Sequence, residues 1–438
     1  MKFPRFQRTV RTSLAIALTL CASTNVWADN WPHWRGPLDN GICSEKNIPT
    51  TWSRSKNVAW RLELPGLAGA SPVVWDDRIF LSSVDGNELV LFCVNSDGQQ
   101  LWRRRVGTGN KNVRGDEGNS ASPSPVTDGK HVWSMMATGA IACYDMQGTE
   151  VWKMNLEDRY GKFKNTFGMA STPIVHGDRL FLQLIHGVRN LEPTSDALVV
   201  ALDKLTGKEI WKQERVTHAY DENKHSYASP ILYQDGKTKF LITHGADYTI
   251  AHQLSDGSEI WRCGDLNPQD NPHRKYHPTL RFVASPAAVP GMVVIPTAKN
   301  GPVVVIRPNF QGDVTKVKSA HIWTRANNTP DVPSPLIHNN LVYLCRENGV
   351  LLCLKAQTGR ELYQKRIHSH RHRASPVYAD GKIYLTARDG RVTVVKTGRK
   401  FEILARNDLN ETISASPAIS NGTIYIRSFE ALWAIRNR

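Results

Sequence analysis

The sequence has no apolar run long enough to cross a membrane. The apolar stretch at residues 13–22 is about half as long as the roughly 20 residues that a membrane-spanning helix needs. Segments with the periodicity of an amphipathic helix are also lacking, which excludes a helical bundle. Acidic residues are scarce, since 40 Asp and Glu stand against 55 Lys and Arg. The resulting net charge of +15 permits contact with anionic partners without choosing among them.

Common catalytic and ion-binding motifs are absent: HExxH, the GxSxG elbow, the Walker A loop and the EF-hand loop. The most metal-like group is His368, His370 and His372, because side chains at alternate positions of a strand share one face. However, Arg371 and Arg373 interleave with it, and their positive charge disfavours a dication. We therefore predict no catalytic residue and no metal site, and we expect this group to be a solvated loop or an anion contact.

The seven cysteines are dispersed along the chain and form no disulfide framework pattern. Most lie in apolar, strand-like runs, where a buried thiol is the simplest interpretation. Cys345 and Cys353 flank a predicted hairpin turn at residues 347–349 and could lie on neighbouring strands. Whether these two pair is left open by the sequence.

The N-terminus has the pattern of a secretory signal peptide over residues 1–28. Four cations precede the apolar stretch, and a small residue, Ala28, ends the segment before Asp29. Cys21 follows a bulky leucine, which disfavours a lipid anchor at that cysteine. We therefore predict export to the periplasm or cell envelope. Removal of the segment would lower the net charge to +11, because its four cations leave with it.

A repeat runs through the rest of the chain. A small residue followed by proline opens a short apolar run eight times, at intervals of 41 to 57 residues. Each opening leads into strands with alternating apolar residues, separated by Asp-Gly, Asn-Gly or similar turns, which is typical of β-hairpins. The openings are Ser71-Pro72, Ser124-Pro125, Thr172-Pro173, Ser229-Pro230, Ser285-Pro286, Ser334-Pro335, Ser375-Pro376 and Ser416-Pro417.

A second landmark follows in register with the first. A glycine precedes an aromatic residue by four positions in five repeats, and we expect the glycine to permit a tight turn into a fourth strand. The aromatic ring would then bury its flat surface between neighbouring units. The predicted docking residues are Trp60, Trp102, Trp152, Trp211, Trp261 and Trp323.

The repeat count predicts a closed ring. The last repeat stops after its third strand. An unmatched strand at residues 57–61 has the aromatic residue that a fourth strand is expected to carry. Pairing this N-terminal strand with the last repeat would remove exposed sheet edges. We therefore predict an all-β, eight-bladed β-propeller with four-stranded antiparallel blades. In this interpretation residues 29–56 are a lead-in segment and residues 57–438 form a single domain.

Residues 201–211, ALDKLTGKEIW, closely resemble the tryptophan-docking repeat of pyrroloquinoline-quinone (PQQ) propellers. Residues 143–152 and 254–261 are looser copies, and residues 31–37, WPHWRGP, resemble the lead-in of exported PQQ-like repeat proteins. The resemblance extends from about residue 57 to the C-terminus. That family includes quinoprotein alcohol dehydrogenases and also the non-catalytic propeller lipoprotein of the outer-membrane β-barrel assembly machinery. The resemblance therefore implies the fold more strongly than the chemistry.

The enzymes of that family typically carry adjacent cysteines over the cofactor, Ca²⁺ ligands, an aspartate base and long inserts between blades. This sequence has no two neighbouring cysteines and no haem-attachment CxxCH motif, and we match no position to the calcium ligands or the base. We therefore expect a non-catalytic protein with no cofactor. PQQ with Ca²⁺, held by a dehydrogenase that oxidises an alcohol or sugar, is the alternative.

The crossings between blades carry the candidate binding residues. In a propeller these loops share one face and surround the axial funnel, so polar side chains from many blades meet at one mouth. The alternative is that the loops are merely solvated, as surface loops usually are. On position and side-chain chemistry, we predict ligand contacts at Glu117, Asn119, His225, Arg281 and Arg373.

Two functions follow from this interpretation. The first is a monomeric scaffold or binding protein that takes a protein partner or a polar or anionic ligand, at the mouth or by addition of a partner strand. The second is the quinoprotein dehydrogenase. Nucleic-acid binding is disfavoured, because the charge is spread over the blades without a single aromatic and basic stripe.

Overall fold

The computed structural model describes residue 1 and residues 30–192, 196–267, 280–298 and 301–437. The predicted signal peptide, Met1 apart, lies outside these residues, and so does Cys21. Within them, no helix combines the length and the apolar character that crossing a membrane requires.

The described residues form eight sheets, each built on four antiparallel strands, and the predicted eight-bladed β-propeller is confirmed. In each blade the strands pair in the order in which they follow the Ser-Pro or Thr-Pro opening. Blades 1 to 4 contain β2 (Val73–Trp75), β3 (Arg78–Asp85), β4 (Glu88–Asn95) and β5 (Gln100–Thr108); β6 (Val126–Thr127), β7 (His131–Met135), β8 (Ala140–Asp145) and β9 (Glu150–Asn155); β10 (Ile174–His176), β11 (Arg179–Leu184), β12 (Leu198–Asp203) and β13 (Glu209–Glu214); and β14 (Ile231–Asp235), β15 (Thr238–Gly245), β16 (Tyr248–His252) and β17 (Glu259–Cys263).

The other four blades follow the same plan, and blade 8 takes its outermost strand, β1, from the N-terminus. They contain β18 (Ala287–Val289), β19 (Met292–Pro296), β20 (Val303–Ile306) and β22 (His321–Arg325); β23 (Leu336–His338), β24 (Leu341–Cys345), β25 (Val350–Lys355) and β26 (Glu361–Arg366); β27 (Val377–Ala379), β28 (Lys382–Thr386), β29 (Arg391–Lys396) and β30 (Ile403–Asp408); and β31 (Ala418–Ser420), β32 (Thr423–Arg427), β33 (Ala431–Arg436) and β1 (Val58–Glu63).

Helix is almost absent from the described residues. One short helix, α1 (Leu156–Tyr160), follows β9, and one 3₁₀ turn spans Asp221–Lys224. A further short strand, β21 (Gly312–Asp313), comes from the long connection inside blade 5 and pairs in parallel with β17. It adds a fifth strand to the outer edge of blade 4.

The ring closes as the repeat count predicted. Strand β1 pairs antiparallel with β33, with Trp60 opposite Ala434 and Glu63 opposite Ala431. The first and last strands of the propeller therefore lie side by side in one sheet, which leaves no blade with a missing outer strand.

Neighbouring blades contact each other through the repeated glycine and tryptophan. A Cβ atom on Gly98 would lie only 2.6 Å from the ring of Trp60, so the glycine lets the turn of blade 1 approach the tryptophan of blade 8. The Trp60 ring nitrogen also donates to the Ser96 carbonyl at 2.8 Å. The same glycine contact joins Trp102 with Gly148, Trp152 with Gly207, Trp211 with Gly257 and Trp323 with Gly359. Trp261 differs, because it is fully buried where β17 pairs with β21.

The repeat openings form a closed ring of hydrogen bonds around the axis, which we call the axial ring. The backbone N–H of each opening residue donates to the side-chain hydroxyl of the next one, at 2.8 to 3.0 Å. The last bond runs from the Ser416 N–H to the Ser71 hydroxyl and closes the circle. A small hydroxyl residue at each opening thus links one blade to the next.

The lead-in segment, residues 30–56, packs across one end of the ring. Trp31 is fully buried and pairs with Val74 of blade 1 through two backbone hydrogen bonds of 2.8 Å. Further along, Ile42 bridges to Tyr378 of blade 7, and the Arg35 guanidinium donates to a blade 6 carbonyl at 2.7 Å. Trp34 lies against the axial ring and lines the bottom of the channel. The segment therefore closes this end, which we call the sealed end.

All six cysteines in the described part of the chain are buried and lie outside any disulfide bond. Cys345 lies opposite Leu351 and Cys353 lies opposite Tyr343, so the hairpin register keeps the two thiols apart. The pairing that the sequence left open is therefore not formed in this structure.

Candidate functional site

A cavity of about 200 Å³ lies at the other end of the channel, and we call it the mouth. Its lining comes from all eight connections that lead into the blades, so the predicted convergence of the crossings is observed. The channel below it, about 150 Å³, shares several of these residues and runs down to Trp34. The mouth lining includes Gly69, Val113, Glu117, Phe167, Tyr227, Arg281, Val332, Arg373 and Ser414. Because Trp34 closes the far end among the described residues, the mouth is the end from which a ligand would enter the channel.

Arg373 and Glu117, two of the predicted contacts, meet on one side of the mouth. The Arg373 Nη2 lies 3.2 Å from Glu117 Oε1 and 3.4 Å from Glu347 Oε1. Arg371 Nη2 approaches the same two oxygens at 3.0 and 3.1 Å. Two arginines and two glutamates therefore form one ionic network at the rim.

The side chains of this network shift each other's pKa values. Burial would raise the pKa of Glu117, but the guanidinium groups of Arg371 and Arg373 outweigh it and hold that pKa below its ordinary value. The pKa of Glu347 is lowered against burial by Arg373, by a hydrogen bond with Asp331 and by Arg371. Burial lowers the pKa of Arg373, although both glutamates oppose this effect. Because both carboxyl pKa values lie below the ordinary value, Glu117 and Glu347 are ionised at neutral pH.

Arg281, the third predicted contact in the lining, lies on another side of the mouth. Its guanidinium sits over the ring of Phe167 at 5.5 Å, and its Nε lies 3.5 Å from Glu222. The Tyr227 hydroxyl accepts from the Phe167 N–H at 3.3 Å, which ties two crossings together. Phe167 and Tyr227 were not predicted, because single aromatic residues in irregular loops carry no periodic signal.

Asn119 and His225, the other two predicted contacts, do not line the mouth. Asn119 is buried, donates to the Leu67 carbonyl and accepts from the Ala121 N–H at 3.0 Å. His225 is buried within hydrogen-bond distance of the Gly187 carbonyl at 2.9 Å, and burial lowers its pKa. Both side chains form hydrogen bonds with the backbone of the loops. Polar residues in a crossing can thus stabilise the loop and not contact a ligand.

The crossing from blade 1 to blade 2, residues 109–122, reaches over the mouth, and we call it the mouth strap. Its tip is pinched by a β-bridge between Val113 and Gly118. On one flank Asp116 pairs with Arg388 of blade 7 at 2.7 Å. On the other flank the Arg114 guanidinium lies over the Phe167 ring at 4.4 Å. The mouth strap thus connects the crossing from blade 2 to blade 3 with blade 7, which is adjacent to neither of the blades that the strap joins.

The histidine group lies in the crossing before blade 7. His368 pairs with Asp389, an acid from a neighbouring turn, at 2.7 Å. His372 is buried next to the His370 carbonyl, and burial lowers its pKa to about 4. Across the described residues, no three His, Cys, Asp or Glu side chains are grouped as metal ligands would be.

The mouth residues match PQQ only in part. PQQ is a planar quinone with three carboxylates, for which Arg281 and Arg373 offer guanidinium groups beside the Phe167 ring. Ca²⁺ needs six to eight oxygen ligands, whereas the Glu117 and Glu347 carboxylates are already bound by guanidinium groups. The described residues therefore suit the carboxylates of the cofactor better than its ion.

Comparison with known proteins gives two kinds of relative. The family model described as outer membrane protein assembly factor BamB matches residues 86–396 and 311–427. A polyvinylalcohol dehydrogenase from Pseudomonas sp is 25% identical over 195 residues, which cover 42% of this chain and 29% of that protein. A quinoprotein ethanol dehydrogenase from Pseudomonas aeruginosa is 31% identical over 113 residues, covering 22% of this chain and 16% of that protein.

Among solved structures, BamB from Moraxella catarrhalis superposes with a TM-score of 0.60 at 13% identity, covering 86% of this chain and 96% of that one. At this identity the likeness concerns the fold. The chain spans less than a third of the length of either curated dehydrogenase that it matches.

Proposed function

The chain belongs to the family described as outer membrane protein assembly factor BamB, and from this premise we propose that it is an exported, non-catalytic binding protein of the cell envelope. Its mouth holds a polar or anionic segment of a partner protein. The signal-peptide pattern of residues 1–28 and the family description support the compartment. The partner would dock on the rim and insert a few side chains.

The observation that carries this proposal is the chemistry of the mouth. Arg281 and Arg373 reach one cavity of about 200 Å³, beside the Phe167 ring. This volume suits a few side chains of a partner, and the guanidinium groups suit carboxylates or other anions. Because Trp34 blocks the far end, the cavity is a pocket and not a passage.

A capture experiment with a mouth variant tests the proposal. Wild-type protein and the double variant Arg281→Ala/Arg373→Ala would each be incubated with an envelope extract and the retained proteins identified. We expect a specific partner to be retained by the wild type and lost by the variant. The control is Arg105→Ala/Arg360→Ala, which removes two exposed arginines of outer strands and turns. Retention of the same partner by the mouth variant would contradict the proposal.

The alternative is a PQQ-dependent dehydrogenase that oxidises an alcohol or sugar. The names of the two curated relatives favour it, and so do the guanidinium groups that could hold the cofactor carboxylates. PQQ would supply the redox chemistry, while Arg281, Arg373 and Phe167 would bind and orient it.

Titration with PQQ and Ca²⁺ separates the two functions. A saturable visible absorbance, a matching rise of the thermal midpoint and dye-linked oxidation of an alcohol would replace the binding-protein proposal. An unchanged midpoint at high PQQ and Ca²⁺ would contradict the dehydrogenase.

A further inference from the structure

Glu117 binds arginines that are distant in sequence and lie on another part of the ring. It belongs to the mouth strap between blades 1 and 2, whereas Arg371 and Arg373 precede blade 7. Its contact with Arg371 joins residues 254 positions apart. A connection between two neighbouring blades does not need to extend as far as blade 7. The contact between Glu117 and the arginines is therefore not required by the path of the chain, and we relate it to ligand binding at the mouth.

The network contains one fixed acid and one acid on a long loop. Glu347 comes from the tight turn between β24 and β25, and the Glu347 carbonyl also accepts from the His372 N–H at 2.8 Å. Glu117 comes instead from the 14-residue mouth strap, which is not part of a strand or of a hairpin turn. Of the two carboxylates, Glu117 is the one that can leave without disturbing a blade.

The place that Glu117 occupies is also the place that a ligand anion would take. Its Oε1 lies between the Nη2 atoms of Arg371 and Arg373, at 3.0 and 3.2 Å. Arg373 lines the mouth, and its Nε has no hydrogen-bond partner among the residues that the structure describes. Charge-assisted contacts of this kind are the strong ones in carboxylate recognition. The position of the Glu117 carboxylate therefore indicates that a ligand bound between these two arginines would also present a carboxylate.

We propose that the mouth binds an acidic peptide segment, one carboxylate of which replaces Glu117 between Arg371 and Arg373, so that the mouth strap is an intramolecular competitor of the ligand. This inference rests on the proposed function and names its ligand class and its regulation. The ligand must displace the strap, and its apparent affinity is reduced by the fraction of molecules in which the strap is closed. Arg114 and Asp116, on the two flanks of the strap, would separate from Phe167 and Arg388 at the same time.

The test compares two charge-neutralising variants. Glu117→Gln removes the competing charge and keeps the size of the side chain. Glu361→Gln is the matched control, because Glu361 pairs with Arg325 at 2.9 Å on the outer strands, away from the mouth. The probe is a fluorescent deca-glutamate peptide, measured by anisotropy beside a neutral Gly-Ser peptide of equal length. Hydrogen exchange of residues 109–122 is followed in the same samples.

We expect Glu117→Gln to bind the acidic peptide about tenfold more tightly than the wild type does, since a bond to a charged group no longer has to be broken. Glu361→Gln should match the wild type, and Arg373→Ala should abolish binding. Adding the peptide to the wild type should raise exchange in the mouth strap. If Glu117→Gln distorts the strap, Asp116→Asn loosens it from Arg388 without touching Arg373 and should tighten binding by a smaller factor.

Two results would overturn the inference in different ways. Equal or weaker binding by Glu117→Gln and Asp116→Asn, with binding still dependent on Arg373, would leave the mouth as a site and remove the competitor. If no variant prefers the acidic peptide over the neutral one, the ligand class is wrong. Neither result depends on the partner captured from the envelope extract, so failure of the proposed function would be recognised separately.

Discussion

The two ends of the axial channel are built from different interactions. At the sealed end, the lead-in segment is held by backbone hydrogen bonds and buried aromatic side chains, such as Trp31 against blade 1 and Trp52 stacked on Tyr384 at 6.3 Å. At the mouth, the tip of the mouth strap is held by ion pairs, such as that between the partly exposed side chains of Glu117 and Arg371. Water and salt compete with the second kind of contact far more than with the first. One end is therefore suited to closure and the other to exchange of partners.

The largest expected difference between the two ends concerns stability. Trp31→Ala removes a fully buried side chain at the sealed end and should lower the free energy of unfolding by about 3–5 kcal/mol. Leu38→Ala in the same segment is the control, because its side chain is 67% exposed and should change stability by less than about 0.5 kcal/mol. Chemical denaturation measures both. Equal effects of the two substitutions would mean that the lead-in segment is not part of the folded core.

Acid should act on the mouth end through His372. Burial lowers its folded-state pKa to about 4, against an ordinary value of 6.5, so the unfolded chain binds the proton more readily. The contribution of His372 to the free energy of unfolding is therefore present above pH 6.5 and decreases as the pH falls towards 4, with about 2 kcal/mol lost at pH 5. His372→Asn should reduce the fall in thermal midpoint between pH 7 and pH 5. The exposed His370→Asn should keep the wild-type pH dependence, and identical profiles for both variants would contradict this assignment.

The axial ring lies between the two ends, and its bonds can be removed one at a time. Ser285→Ala removes the acceptor of the buried Ser229 N–H and should cost about 1–2 kcal/mol of stability. Ser285→Thr is the control, because Thr172 already serves as an acceptor in the same ring. Denaturation curves in which the alanine variant is as stable as the threonine variant would show that the ring bond contributes nothing.

The smallest expected effect is that of salt on local opening. Raising the ionic strength from about 0.05 to 0.5 M should increase hydrogen exchange in residues 109–122 several-fold, because screening weakens the ion pairs. Exchange of residues 31–43 should be unchanged, since backbone bonds and buried rings hold them. Glu117→Gln should reduce the salt dependence of the mouth strap, because the pair of Asp116 with Arg388 remains. An equal increase in hydrogen exchange at both ends would show that the two ends do not differ in the kind of interaction that holds them.

The fold could be predicted because its determinants are local and repeated. The Ser-Pro and Thr-Pro openings proved to be the axial ring, and the glycine-to-tryptophan spacing corresponds to contacts between neighbouring blades. The unmatched N-terminal strand was predicted by counting alone. The opening recurs in all eight repeats and the glycine-to-aromatic spacing in five, so one sequence contains several independent copies of the same observation.

The mouth was predictable only in outline. Crossings of a propeller share a face, and this rule brought Glu117, Arg281 and Arg373 to one cavity. It could not distinguish a side chain that faces the cavity from one that holds the loop, as Asn119 does. Nor could it predict the path of the mouth strap, because pairs such as Asp116 with Arg388 depend on a loop conformation without periodicity.

The seam between β1 and β33 has a consequence for how the chain is made. The first strand of the propeller needs the last one as its partner, with Leu62 opposite Leu432. A chain synthesised or threaded from its N-terminus therefore carries an unpaired strand until some 370 residues later the final strand emerges. During that interval the open edge can pair with other strands, including those of a second copy. Completion of the ring is thus a single late event, and a chaperone that shields residues 58–63 would act until that moment.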